Sequence, residues 1–219
     1  MAEPRLLRCG WHAVLVECDG LEQVLALAEA VRTAVAADQP GFTDVTDVVP
    51  AATTVLVIVR DEADLASLRS ALARLTATAS AATGHESGDG EADTVEIGVH
   101  YDGPDLDDVA AMTQLTRREV IEAHTATTWQ VAFGGFAPGF AYLTGGDSRL
   151  QVPRRREPRT TVPTGAVALA GGFSAVYPRS SPGGWQLLGH TDTVIWDLER
   201  DPPALLRPGT TVRFVELES

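Results

Sequence analysis

The chain contains no lysine, and all 17 of its basic residues are arginine. That absence removes whole mechanisms. A phosphate loop ending in Gly-Lys-Ser/Thr, a Schiff-base amine and a biotinylated carrier all need the missing amine. Cysteine is almost absent, with only Cys9 and Cys18. An odd separation along one strand points them to opposite faces, which argues for two buried thiols and against a disulfide. No apolar run approaches the ~18 residues of a membrane span. Residues 1–18 lack signal-peptide order, since the apolar stretch Ala13 to Val16 ends at Glu17. The expected location is cytoplasmic. Positive charge is scarce: 17 basic residues face 30 acidic ones, a net charge of −13. Generic binding to nucleic acid or to an anionic membrane surface is excluded on that balance.

What is present is ordinary globular material. Of 219 residues, 44% are apolar, enough for one or two domains with buried cores. Trp11 to Cys18 reads as a strand, and Asp19-Gly-Leu-Glu22 as a capping box before a helical stripe from Leu21 to Val35. Val45 to Val49 reads as a strand ending at Pro50. Thr53 to Val59 is apolar throughout, as in a strand covered on both faces. Asp61 starts a helix with Leu65, Leu68, Leu72 and Leu75 on one face. These elements predict a small α+β domain over residues 1–80. From 78 to 93 there is no large apolar residue and no arginine, and the linker is placed at 81–93.

Residues 94–219 read differently. Val95, Ile97, Val99 and Tyr101 alternate with polar or small residues, as in a half-buried strand. Asp105 and Asp108 begin a short helix, and Thr116-Arg-Arg-Glu119 is a second capping box. Trp129, Val131 and Phe133 alternate as a strand. After residue 134, short apolar strands are punctuated by Gly and Pro, which predicts a β-barrel or sandwich. The overall fold class is α+β.

The chemistry concentrates after residue 133. Phe133 to Leu143 is rich in glycine and aromatics. Arg149, Arg154, Arg155, Arg156 and Arg159 fall within 11 residues of an acidic protein. Such a cluster needs compensation. Either it forms an anion site, using the guanidinium fork that grips carboxylate or phosphate, or it pairs with the protein's own acids. Tyr177-Pro-Arg-Ser-Ser-Pro-Gly-Gly-Trp185 is either a ligand-hugging loop or a barrel corner. His124, on an apolar helix face, reads as a core histidine, whereas His190 follows a strand and can reach a cleft. No metal-ligand spacing occurs, so no protein-built metal site is expected.

Several motifs stand in order: Tyr101-Asp-Gly-Pro-Asp-Leu106, Glu119-Val-Ile121 with His124, Gly135-Phe-Ala-Pro-Gly-Phe-Ala-Tyr-Leu143, Pro153-Arg-Arg155, Pro158-Arg159, Val162-Pro163, Ala170-Gly171, Tyr177-Pro178 and Ser181-Pro-Gly-Gly-Trp185. Together they resemble the KipI/PxpB family, also labelled allophanate hydrolase subunit 1 or carboxyltransferase-domain proteins. The resemblance implies a cyclophilin-like β-barrel over 94–219. It implies a subunit of an ATP-dependent 5-oxoprolinase that acts with PxpA-like and PxpC-like partners, with Mg²⁺ and ATP shared between subunits. Members of this family also include a KipI-type inhibitor of a histidine kinase and the carboxyltransferase part of a urea carboxylase. Under the hydrolase reading, Arg154, Arg155 and Arg159 hold an anionic group. Phe136, Pro138, Gly139, Phe140, Ser174, Tyr177, Ser181, Gly183, Gly184 and Trp185 shape the pocket, and His124 and His190 are the proton-transfer candidates. The chain departs from the family at Phe173 and His190, where the resemblance leads one to expect glutamine and arginine.

Overall fold

The computed structural model describes residues 5–60, 64–79 and 94–218. The chain divides into two compact units, residues 1–88 and 89–219. The linker expected at 81–93 lies outside the described residues.

The first unit runs β1 (Arg5–Cys9), β2 (Ala13–Glu17), α1 (Leu21–Ala36), β3 (Val45–Pro50), β4 (Thr54–Val59) and α2 (Leu65–Ala79). Its four strands form an antiparallel sheet in the order β1-β2-β4-β3. Val14, Val16, Val55 and Val57 meet Val24, Leu27, Val31, Leu68 and Leu72 of the helices in one core. In β4, buried Val55, Val57 and Val59 alternate with half-buried neighbours. Helices therefore seal one face of this strand, not the expected two. β1 had no clear apolar signal and pairs as an edge strand. Cys9 therefore ends β1 beside the hairpin turn, where Gly10 lies in the left-handed region (φ 63°), and Cys18 follows β2 at the opposite end of the hairpin. Both are free; Cys9 is exposed, correcting the buried reading, and Cys18 is half-buried. Burial, aided by the Asp19 charge, pushes the Cys18 thiol up to about 11. The Asp19 capping box does not form. The α1 N-cap is Gly20, without a side-chain cap, and the Asp19 N–H donates instead to Gln23 Oε1 at 2.7 Å. The start expected at Asp61 lies outside the described residues. Just before α2, Asp64 Oδ1 accepts from the Ala66 N–H at 2.9 Å.

The second unit contains β5 (Val95–Val99), α3 (Leu106–Thr113), α4 (Arg117–Ala126), β6 (Trp129–Gly134), β7 (Ala141–Thr144), β8 (Arg159–Val162), β9 (Ala166–Ala170), β10 (Phe173–Val176), β11 (Ser181–Gly183), β12 (Gln186–His190) and β13 (Thr211–Glu216). Seven strands form one sheet in the order β12-β9-β10-β7-β6-β13-β5, and β8 pairs with β11 apart from it. The β13–β5 pair is parallel. The two ends of the sheet then meet. His100 and His190 exchange backbone bonds of 2.9 and 3.0 Å, and the N–H groups of Gly103 and Asp105 donate to Leu188 O and Leu187 O. The sheet thus closes into a barrel, one of the two architectures the strand pattern allowed and the one the family resemblance implied.

Side chains from all seven strands fill the interior: Ile97, Phe214, Trp129, Leu143, Val176, Leu169 and Leu188, one from each. Helices α3 and α4 add Leu106, Val109, Val120 and Ile121 to the same core. The α4 capping box is formed as its sequence implies, with Thr116 Oγ1 accepting from the Glu119 N–H at 3.2 Å and Glu119 Oε2 from the Thr116 N–H at 2.7 Å. The opposite face of β9, with Ala166, Ala168 and Ala170, packs against Phe140, Tyr177, Trp185 and Leu187. Alanines there leave room for these rings.

Candidate functional site

The site is organised by one carboxylate. Asp105 caps the start of α3, but its side chain makes no cap bond. It turns inward, 1% exposed. Its Oδ1 accepts from Arg155 Nη1 and Arg159 Nη2, each at 2.7 Å. Its Oδ2 accepts from the Leu187 N–H at 2.7 Å. A buried carboxylate normally carries a heavy desolvation cost, and three strong donors offset it here. Two guanidiniums against one carboxylate leave one positive charge over. Arg155 Nε and Arg159 Nη1 are buried and have no partner among the described residues.

Three arginines of this loop pair with the protein's own carboxylates, one of the two readings its sequence allowed. Arg149 is spent on Asp147, at 2.6 Å. Arg155 and Arg159 are clamped by Asp105 yet keep free donors. Arg154 is exposed and lies over the Trp185 ring, 6.0 Å from its centre. A cleft of about 550 Å³ opens beside this clamp, with Arg155, Arg156, Glu157 and Gln186 facing Asp108 and Met112 of α3. The Gly184 carbonyl accepts from the Arg155 N–H at 2.8 Å, which ties the two loops together. At Gly183 a Cβ would collide with the Tyr177 hydroxyl, so that turn is closed to side chains. Burial raises the Tyr177 phenol above its ordinary range. Ser181 Oγ is buried without a partner among the described residues.

Phe136 and Phe140 join Tyr177 in an aromatic group. Phe136–Phe140 centroids are 5.1 Å apart, and Phe140–Trp185 centroids 5.5 Å. Phe136 is 60% exposed and held at φ 66°. A bulky residue in the left-handed region is strained, by about 1–3 kcal/mol. Pro138 is exposed beside it. Gly139, at φ 79°, lies so close to Trp196 that an added Cβ would meet that side chain at 2.7 Å.

The two histidines separate. His190 sits at the barrel seam, its ring stacked on His100 with centroids 5.1 Å apart, and its Nδ1 is 2.9 Å from Asp102 Oδ1. It is half-buried. His124 is 0% exposed. Tyr101 Oη contacts its Nδ1 at 2.7 Å, Ser174 Oγ its Nε2 at 2.9 Å, and Phe214 stacks on it at 4.3 Å. Burial lowers His124 to about 3. Both ring nitrogens are occupied inside the barrel. His124 is thus the core histidine its helix face implied, and Ser174 beside it is equally buried; neither is among the residues that line the arginine cleft. Asp105 and Gln186 were missed. Asp105 read as a helix cap, and Gln186 sits in an otherwise apolar strand where only its burial marks it. Among the described residues, no three His, Cys, Asp or Glu side chains gather as a metal site would require. No helix among them is long and apolar enough to cross a membrane.

Residues 4–206 match the model of the carboxyltransferase domain, subdomain C and D. The chain belongs to this family. It is the KipI/PxpB group to which the loop motifs pointed. A 5-oxoprolinase subunit of Escherichia coli O157:H7 is 49% identical over 124 residues, 55% of this chain and 57% of that protein. The chain spans about half the length of the curated relatives it matches. Among solved structures, TTHA0988 superposes with a TM-score of 0.72 at 34% identity, over 95% of this chain and 40% of that one. The Kluyveromyces lactis urea carboxylase superposes with a TM-score of 0.76 over 98% of this chain and 22% of that enzyme. At 17% identity that likeness speaks to fold alone. Carboxyltransferase-domain architecture therefore extends over both units.

Proposed function

We propose that this chain is one subunit of an ATP-dependent 5-oxoprolinase that opens 5-oxo-L-proline to L-glutamate together with PxpA-like and PxpC-like subunits. The observation that carries the reading is the 49% identity over 124 residues to a protein named as a 5-oxoprolinase subunit. A lactam is unreactive at neutral pH, and phosphoryl transfer from bound ATP supplies the activation its oxygen needs. The chain's own part is electrostatic. The free N–H groups of Arg155 and Arg159 fit an oxyanion, carboxylate or phosphate alike, and their buried setting strengthens that contact. Asp105 holds both guanidiniums in place. The Phe136, Phe140, Tyr177 and Trp185 group walls the neighbouring surface. His190, backed by Asp102, is the proton carrier in this scheme. Mg²⁺ enters with the nucleotide.

Co-expression with PxpC-like and PxpA-like proteins tests the reading. The purified complex is expected to release ADP and glutamate together from 5-oxoproline, ATP and Mg²⁺, and the isolated chain to release neither. In the complex, Arg155→Ala removes a charge-assisted bond worth ~1.5–3 kcal/mol, a loss of roughly 10- to 150-fold in kcat/KM. Turnover by the isolated chain, or partners that purify apart at micromolar concentration, would refute the shared-subunit reading.

A further inference from the structure

The first unit holds a cavity of its own, of about 340 Å³, where the β1–β2 hairpin meets the start of α2. Its floor is apolar: Val14, which is buried, and half-buried Leu65. Its walls are charged or aromatic. Arg8 is the register partner of Val14 across the hairpin. Its Nε donates to the Gly10 carbonyl at 3.0 Å, which holds the guanidinium over the Trp11 ring, 4.8 Å from the centre. Trp11 is 77% exposed on the hairpin turn, so most of its apolar surface lies in water. Arg69, in the second turn of α2, is exposed and makes no hydrogen bond or ion pair among the described residues. Asp64, just before the helix, is exposed as well. Its Oδ1 accepts from the Ala66 N–H, and among the described residues neither arginine pairs with it. Two guanidiniums, a carboxylate and an indole therefore face one space, each open to solvent.

This lining selects by charge. A simple anion would satisfy the arginines and face the Asp64 carboxylate. A simple cation would satisfy Asp64 and face two guanidiniums. A neutral apolar molecule would desolvate all three charges and pair with none. A zwitterion carries both signs on one small frame, and an apolar side chain on that frame matches the floor and the indole. We infer that this cavity binds a free α-amino acid with an apolar side chain. Its carboxylate meets Arg8 and Arg69, whose forks present paired N–H donors. Its ammonium meets Asp64, and its side chain lies on Val14 and Leu65 against Trp11. None of these residues lines the arginine cleft, so the site stands or falls apart from the 5-oxoprolinase reading.

The test is equilibrium binding to the full chain by calorimetry. The probes are L-phenylalanine, 3-phenylpropionate, which lacks the ammonium, and 2-phenylethylamine, which lacks the carboxylate. L-phenylalanine is expected to bind more tightly than either analogue by roughly 5-fold, the discrimination that one solvent-accessible ion pair supplies. L-glutamate, which would set a further charge on the apolar floor, should bind more weakly than L-phenylalanine. Covering the Trp11 ring should shift indole emission to shorter wavelength, and Trp11→Phe should remove that shift. Arg69→Gln should narrow the preference over the amine. Asp64→Asn keeps an acceptor for the helix start and should erase the preference over 3-phenylpropionate. Thermal melting checks that each variant is folded; if one is not, the wild-type affinities decide. No binding of L-phenylalanine at millimolar concentration, equal affinity for either analogue, or tighter binding of L-glutamate overturns the inference. So does an emission shift that survives Trp11→Phe, or a folded Asp64→Asn chain that keeps the wild-type preference.

Discussion

His124 is a base kept neutral by its surroundings. Tyr101 and Ser174 hold its two nitrogens, and among the described residues no charged partner contacts the ring to compensate a proton inside the barrel. Its folded-state value of about 3 lies below the ordinary 6.5. Below pH ~6.5 the unfolded chain binds a proton that the folded chain refuses. The stability contributed by the neutral histidine is therefore fully present above about 6.5 and is lost as pH falls toward 3, by about 1.4 kcal/mol per pH unit. Urea unfolding at pH 7.5, 6 and 5 should show that slope, and His124→Gln should flatten it. An equal slope in the variant would mean that other groups carry the acid sensitivity. The helical spacing of Val120, Ile121 and His124 already marked this residue as a core histidine, but its partners were not legible, since Ser174 is 50 residues away. Asp105 shows the limit more sharply. An aspartate before an apolar helix reads as a cap, whereas its three donors come from positions 50, 54 and 82 residues distant.

The most position-sensitive element is the seam between the end of β5 and β12. Sheet closure requires the two backbones to approach at Gly103 and Gly189. A Cβ at Gly189 would overlap the His100 carbonyl, and one at Gly103 the Leu187 carbonyl. Neither obstacle is the flexible end of a side chain, so Gly189→Ala must part the strands. It should cost a few kcal/mol, the range of a severe core change. The expected readout is a lower unfolding midpoint, with faster amide exchange at His100 and Gly103 than in the rest of the barrel. A variant with wild-type exchange at both amides would show that the seam does not need a glycine there. Elements with a strong local period, such as α1, α4, β5 and β6, were legible because their buried faces recur at fixed spacing. The edge strand β1, exposed or half-buried along its whole length, was not, because an edge strand needs little apolar surface and takes its order from its neighbour.

At the scale of the molecule, the barrel closes upon itself and fills its interior with its own side chains. A chain of residues 89–219 should therefore fold alone and unfold cooperatively, with an intact aromatic near-ultraviolet signal from Trp129 and Phe214. Absence of that signal would mean that the first unit is needed to complete the second. The amino-acid sequence by itself determined the α+β class, the change of character near residue 80, the barrel's run of short strands, the gathering of arginines and the family. Each of these is written in composition, local period or contiguous motif. Tertiary structure alone decided that two of those arginines share Asp105, that His124 is sealed in the core while His190 lies at the seam, and that the Gln186 amide is buried against the Pro153 carbonyl. These depend on which strands meet when the sheet closes. Such pairings are fixed by the summed packing of the whole barrel, and no short window of residues encodes them.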